Sequence, residues 1–138
     1  MKKLLILGSC AIGLMLTQAR AAEEHTKLED QMEALDDAFK GFRRETDAVK
    51  GAAAARESQM AALKSAAEVP KTLNAMPEGP EKAKALAEYR KMMGKLFVTL
   101  CEVEEAFLNG KIDEVAKIVD VIKEMKKTGH DKFVEEEE

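Results

Sequence analysis

Histidine, cysteine and methionine, whose side chains can bind soft or borderline metal ions, are few in this sequence of 138 residues. The chain has two histidines, His25 and His130, two cysteines and eight methionines, but no tryptophan. Thioether sulfur and imidazole nitrogen are ligands that iron and copper accept. Met32 and His130 form our candidate pair, because they lie near opposite ends of the chain and a fold could bring them together.

An enzyme is not predicted. Nucleophilic catalysis needs a nucleophile and a base within hydrogen-bond reach of each other, and no such pairing is visible among so few histidines. The carboxylates follow helical faces that we expect to be solvated. The methionines show no tight Met-x-x-Met cluster, which a copper site would favour.

The first 21 residues have the pattern of a secretory signal peptide. Lys2 and Lys3 form a short positive region, residues 4–17 form an apolar stretch, and Ala19-Arg20-Ala21 fits the small-x-small rule for cleavage. We therefore predict cleavage after Ala21. Residues 22–138 would then form one exported domain.

Two other interpretations of this segment stay open. A transmembrane anchor needs roughly 20 apolar residues, and the apolar run here is shorter. A lipid anchor at Cys10 is suggested by Leu7-Gly8-Ser9-Cys10, although the apolar stretch before that cysteine is short.

The net charge of the exported domain limits the classes of partner that it can bind. Removing the three basic residues of the signal segment from 22 leaves 19 against 26 acidic residues, a formal charge of −7. Nucleic acids and anionic membrane surfaces repel such a chain. We predict no nucleic-acid partner, no membrane anchor after cleavage, and steering towards basic proteins.

Cys101 is the one cysteine of residues 22–138, so an internal disulfide is excluded there. We expect a monomer in which Cys101 acts as a small, buried or half-buried apolar group. An intermolecular disulfide in an oxidising compartment is the alternative.

Four segments have the composition of amphipathic helices, and three of them show a clear 3.6-residue period. We place them at about 24–44, 47–68, 80–108 and 111–133. The second is Ala-rich, with a weaker stripe. The stripes expected to face the core are Leu28, Met32, Leu35, Phe39 and Phe42; Val49, Ala53, Met60, Leu63 and Ala67; Leu86, Tyr89, Met93, Leu96, Leu100, Val103 and Phe107; and Ile112, Val115, Ile118, Val119, Ile122 and Met125.

The links between these helices predict the topology. One link is short, one is a proline-rich linker at 69–80, and the third is Asn109-Gly110, where glycine suits a left-handed helix cap. Short links join antiparallel neighbours, so the sequence predicts an all-α, up-down-up-down antiparallel four-helix bundle. Gly51 is expected to weaken the second helix by roughly 1 kcal/mol.

In that topology the start of the first helix lies beside the end of the fourth. Met32 is then about 12 Å from the start of its helix at 1.5 Å per residue, and His130 lies near the last turn of the fourth. Tyr89 and Met93 fall towards the same end of the bundle. A thioether and an imidazole that met there could ligate a haem iron, which would suit electron transfer. A plain core methionine and a solvated histidine are the alternatives.

Several stretches resemble the soluble cytochrome b562 family. The segment Leu28–Lys40 reads LEDQMEALDDAFK, and it is similar to the family's first helix, where a Leu-Glu-Asp-x-Met-Glu-x-Leu run supplies an axial methionine. Tyr89-Arg90 and Met93 match an aromatic-Arg pair and a later aromatic beside the haem. The run from His130 to Phe133 is similar to a closing His-x-Lys-aromatic that supplies the second ligand. The resemblance covers essentially all of residues 22–138.

The resemblance implies a periplasmic electron carrier that holds one non-covalent haem b per chain. Met32 and His130 would be its iron ligands, and Leu35, Tyr89 and Met93 would belong to the pocket walls. Its redox partner protein is not identified by the sequence. No Cys-x-x-Cys-His is present, which excludes the usual covalent attachment of a c-type haem.

The sequence departs from the family pattern in three places, and two of them motivate an alternative. Met93 replaces an aromatic residue, and Gly129 is expected to loosen the turn that aims His130. The third departure is the acidic run Glu135–Glu138 at a helix end, which is mildly unfavourable there. The alternative function is a haem-less exported four-helix bundle that acts as a binding or chaperone-like module.

Three basic side chains also have two interpretations. His25 lies seven residues before Met32 and could replace it in a bis-histidine site, or be a solvated terminal residue. Lys126 and Lys127 precede His130 by about one turn. They could pair with a haem propionate, or belong to an ordinary solvated face.

Overall fold

The computed structural model describes the backbone of residues 15–134 and the side chains of residues 27–134. Five helices and no strand occur in this range. The helices are α1 (Met15–Phe42), α2 (Ala48–Ala67), α3 (Lys71–Asn74), α4 (Pro80–Leu108) and α5 (Ile112–Phe133). As predicted, the four long helices α1, α2, α4 and α5 form an up-down-up-down antiparallel bundle. α3 is a single turn inside the proline-rich linker.

The predicted signal peptide lies outside the described residues as far as residue 14, as does the acidic run 135–138. Residues 15–21 are described as backbone only, and they are helical. α1 therefore begins earlier than the predicted start near residue 24. Residues 15–23 contain no glycine or proline that would stop a helix there.

Local signals in the sequence explain where the helices start and stop. Asp47 caps α2, since its carboxylate accepts a hydrogen bond from the backbone amide three residues later at 2.9 Å. α4 ends at Leu108, and the predicted left-handed glycine follows at Gly110, which has a positive φ of 69°. The Gly110 amide donates to the Phe107 carbonyl at 3.0 Å, and the Lys111 amide donates to that of Ala106 at 2.8 Å. Together these bonds form a Schellman motif.

The stripes predicted for α1, α4 and α5 face the core, where every member is buried or half-buried. Phe42, Leu100, Val103 and Phe107 are the largest apolar side chains that are fully buried. Burial of such side chains stabilises the fold by about 1.5–3 kcal/mol each. The core thus runs along the bundle between these helices.

The stripe predicted for α2 was wrong. Val49, Met60 and Leu63 are 77%, 51% and 46% exposed. The buried face of α2 is made of small and polar residues, namely Gly51, Ala52, Ala55, Ser58, Gln59, Ala61, Ala62 and Ser65. α2 packs against both α1 and α4. Small residues allow close approach of the backbones, so the larger side chains are left on the outer face.

Gly51 is a packing contact rather than a weak point. A Cβ atom at this position would lie 2.3 Å from the ring of Phe107, which is fully buried. Real Cβ atoms do not approach other atoms so closely. Glycine therefore lets α2 and α4 pack with a phenylalanine ring between them.

The four long helices do not close the bundle evenly. α1 packs on α2, α2 on α4, and α4 on α5, whereas α1 and α5 make no comparable backbone contact over the described residues. α3 touches both α4 and α5. The open seam between α1 and α5 is where the cavity described below lies.

Candidate functional site

A cavity of about 740 Å³ lies between α1, α4 and α5. This volume is within the range of about 300–1,000 Å³ that is typical of cofactor sites. α2 contributes no residue to its wall. The wall residues are Leu28, Glu29, Met32, Leu35, Asp36 and Phe39 from α1; Pro70, Lys71 and Thr72 from the linker; Tyr89, Met92, Met93, Leu96 and Leu100 from α4; and Ile122, Lys126, Gly129, His130, Phe133 and Val134 from α5 and its end.

The cavity brings together all five residues that the sequence predicted for the site. Met32 and Leu35 line it from α1, Tyr89 and Met93 from α4, and His130 from α5. Met32 is half-buried, and His130 is exposed at the open seam. A thioether and an imidazole on different helices thus border one apolar space, an arrangement that can present two ligands to a flat metal complex.

The α4 wall is held rigidly by Tyr89. This residue is buried, and its hydroxyl donates to the Ser65 carbonyl on α2 at 2.7 Å. Its ring packs edge-on against that of Phe133, with centroids 5.4 Å apart. Burial, helped by the charge of Glu68, raises the pKa of Tyr89 to about 12. Tyr89 therefore stays neutral and fixes the wall against α2 and the end of α5.

Two further contacts hold the end of α5, which carries His130. The Thr72 hydroxyl, in the linker, donates to the Phe133 carbonyl at 2.9 Å. The Lys132 ammonium pairs with Glu88 on α4. α5 continues without a break through Gly129 to Phe133. The expected loosening at Gly129 is therefore opposed by contacts on both sides of the last turn.

Met92 is a wall residue that the sequence analysis missed. It is half-buried, and its methyl carbon lies 3.8 Å from where a Cβ atom of Gly129 would be. Met92 therefore reaches from α4 to α5 beside His130. Its spacing of three residues from Tyr89 and four from Leu96 was a signal for a shared helical face.

An ion pair crosses the open seam next to the predicted ligands. The Lys126 ammonium on α5 lies 2.5 Å from Asp36 Oδ1 on α1. Lys40 lies 2.8 Å from the other oxygen of the same carboxylate. Hydrogen bonds from Lys126 and then Lys40 lower the pKa of Asp36 to about 2. The Lys126 side chain is 48% exposed, and its ammonium would have to leave Asp36 to bind another anion.

The other candidate residues lie elsewhere. Cys101 is half-buried, as expected, and it is not part of the cavity wall. Burial, together with the charges of Glu104 and Glu102, raises the pKa of its thiol. Lys127 is exposed and does not line the cavity. The side chain of His25 lies outside the described residues, so its two interpretations stay untested.

Two features are absent from the described residues. None of the described helices has the length and apolar character needed to cross a membrane. Between residues 27 and 134, no group of three or more histidine, cysteine, aspartate or glutamate side chains could hold a metal ion.

The chain matches a known protein family. A sequence model described as cytochrome b562 matches residues 27–134, which is most of the chain. A search of curated proteins finds no match. The matched range begins just before Leu28 and ends just after Phe133, so it contains every wall residue of the cavity.

Proposed function

The chain belongs to the cytochrome b562 family, and from this we propose that it is a periplasmic electron carrier that binds one non-covalent haem b with Met32 and His130 as axial ligands. Family membership indicates a haem-binding electron-transfer protein; such proteins are typically periplasmic and are not typically enzymes. The observation that carries the finer proposal is the placement of Met32 and His130 on different helices around one apolar cavity.

The residues of the cavity fit a haem. The cavity's volume of about 740 Å³ suits a cofactor-sized ligand. The cavity wall consists mostly of aliphatic, aromatic and methionine side chains. Leu35, Tyr89 and Met93 would contact the faces and edges of a macrocycle. Methionine is flexible enough to fill the space that an aromatic side chain takes at the position of Met93 in the family pattern.

The protein's own residues would hold the cofactor and tune it. Met32 would supply a thioether from α1, and His130 an imidazole from the last turns of α5. A bound haem supplies a single-electron iron couple, whose potential is raised by a thioether ligand. If Met32 and His130 both held the iron, no site on it would be open to a substrate, which would favour electron transfer over catalysis. The apolar wall excludes water and lowers the local dielectric constant.

The cellular setting is part of the same proposal. Residues 1–21 would direct export and be removed after Ala21, leaving a monomer in the periplasm with no membrane anchor. The formal charge of −7 on residues 22–138 favours a basic redox partner protein and disfavours nucleic acid.

The test is the visible spectrum of the protein purified from an expressing host, in reduced and oxidised forms. We expect a low-spin b-type spectrum that is lost in both Met32→Ala and His130→Ala. Met60→Ala is the matched control, because Met60 is an exposed methionine outside the cavity, and it should keep the spectrum.

Two outcomes would contradict the proposal. A His25→Ala variant that loses the spectrum, while Met32→Ala keeps it, would favour the bis-histidine site. A colourless wild-type protein that also ignores added haemin would favour the alternative function, a haem-less bundle that acts as a binding or chaperone-like module.

A further inference from the structure

Some contact must fix the distance between α1 and α5 across the open seam. These two helices carry the predicted ligands, yet they lack the backbone packing that joins the other neighbouring pairs over the described residues. Their ligand side chains must nevertheless be held at a separation that lets both reach one iron. Positioning of this kind usually depends on residues around the ligands rather than on the ligands alone.

Asp36 and Lys126 are placed to set that separation. Asp36 lies four residues after Met32 on α1, and Lys126 lies four residues before His130 on α5. Four residues of helix rise about 6 Å and return to the same face. Because α1 and α5 are antiparallel, both steps lead in the same direction along the bundle. The ion pair is therefore one turn from the ligand pair on both helices, and both of its residues line the cavity.

The charges around Asp36 keep the pair formed. Lys126 and Lys40 bind opposite oxygens of the Asp36 carboxylate at 2.5 and 2.8 Å. Asp36 is half-buried at 32% side-chain exposure, so solvent screens it only in part. Lys40 lies on α1 itself, so its contact is local, whereas the contact with Lys126 joins two helices.

We propose that Asp36 and Lys126 form a clasp that sets the gap between α1 and α5 and so slows the loss of haem. This inference rests on the proposed function. The two residues are positioning residues, because they act through Met32 and His130 rather than by binding iron.

The test compares two lysines on the same carboxylate. Lys126→Gln removes the contact between helices, and Lys40→Gln is the matched control that removes the local one. Lys126→Arg keeps a charged donor of similar reach. In each haem-loaded variant, the rate of haem transfer to an excess of apomyoglobin is measured, together with the sulfur-to-iron charge-transfer band of the ferric protein.

We expect Lys126→Gln to lose haem roughly fivefold faster, as the loss of one good ion pair near a protein surface implies, and to weaken the charge-transfer band. Lys126→Arg and Lys40→Gln should stay within about twofold of the wild type. Asp36→Asn is a second variant that breaks the clasp from α1, and it should match Lys126→Gln.

A measurement without haem reports on the gap itself. Spin labels attached after Glu33→Cys and Lys127→Cys, in a Cys101→Ser background, give the distribution of distances between α1 and α5. Both label positions are exposed and lie outside the cavity wall. The distribution should broaden when Lys126→Gln is added and stay unchanged when Lys40→Gln is added.

The outcomes separate this inference from the function on which it rests. If the wild type holds haem with Met/His ligation but Lys126→Gln and Lys40→Gln lose it at equal rates, the clasp is refuted and the function stands. If Lys126→Arg behaves like Lys126→Gln, charge is not the cause and the clasp is also refuted. If the wild type binds no haem, both proposals fall.

Discussion

Among the described glycines, Gly51 is the one at which alanine best separates helix propensity from packing. Propensity alone predicts stabilisation of about 1 kcal/mol, because alanine replaces glycine inside α2. The structure predicts the opposite sign. The new Cβ would lie 2.3 Å from ring atoms of Phe107, which is fully buried and packed on all sides.

The magnitude follows from the two opposing effects. Overpacking a well-filled core costs about 1–3 kcal/mol, and a clash with a buried ring between two helix backbones belongs at the upper end of that range. The gain in helix propensity offsets about 1 kcal/mol. We expect a net loss of about 2 kcal/mol in the free energy of unfolding, which lowers Tm by roughly 8 °C for a domain of this size.

Urea and thermal unfolding of the purified protein, followed by far-UV circular dichroism, would measure this. Gly94→Ala is the matched control, because a Cβ atom there would meet nothing within 4 Å; it should stabilise by about 0.5–1 kcal/mol. Gly129→Ala should also be tolerated, since its Cβ would only touch Met92 at 3.8 Å. If Gly51→Ala is as stable as Gly94→Ala, the close packing of α2 on α4 described above is incorrect.

Three further predictions concern other groups. Tyr89→Phe removes the 2.7 Å hydrogen bond to the Ser65 carbonyl and should lower the urea midpoint by the equivalent of about 1 kcal/mol; an unchanged midpoint would show that this bond adds nothing. The pKa of Asp36 is lowered from 3.8 to about 2 in the fold, so its charge stabilises the protein above about pH 4, and this contribution is lost as the pH falls through 2. Asp36→Asn should therefore cost up to about 1 kcal/mol near pH 6, and this cost should shrink between about pH 4 and pH 2 in pH-dependent unfolding; a cost as large at pH 2 as at pH 6 would refute the ion-pair explanation. Burial raises the pKa of the Cys101 thiol, so alkylation near pH 8 should be slower than for a cysteine in an unfolded peptide; an equal rate would contradict the half-buried position.

The fold was predictable where the apolar stripe is made of large residues. α4 and α5 have leucine, valine, isoleucine and phenylalanine at helical spacing, and those residues face the core. The Schellman motif at Gly110 was also visible as Asn109-Gly110. The prediction of the buried face of α2 failed because this helix is rich in alanine. Close approach of the backbones decided which face is buried, and the larger Val49 was left exposed.

Only part of the candidate site could be predicted from the sequence. Met32, Tyr89 and His130 were found from the topology and from a family resemblance, and the structure places them around one cavity. The ion pair between Asp36 and Lys126 was not found, because 90 residues separate its partners and periodicity says nothing about contacts between helices. Only the register of α1 against α5 decides which carboxylate meets which lysine.

The position of α5 beside the open seam determines when, during synthesis of the chain, the cavity is completed. α1, α2 and α4 pack in the order in which they are synthesised, and α5 is the last helix to emerge. The cavity wall that carries His130, Phe133 and Lys126 is therefore completed after the other three helices can already associate. A chain whose synthesis stops before α5 would keep Met32 and most of the α4 wall, but it would have no second face to enclose a ligand. The bundle thus cannot trap a cofactor until α5 has been made.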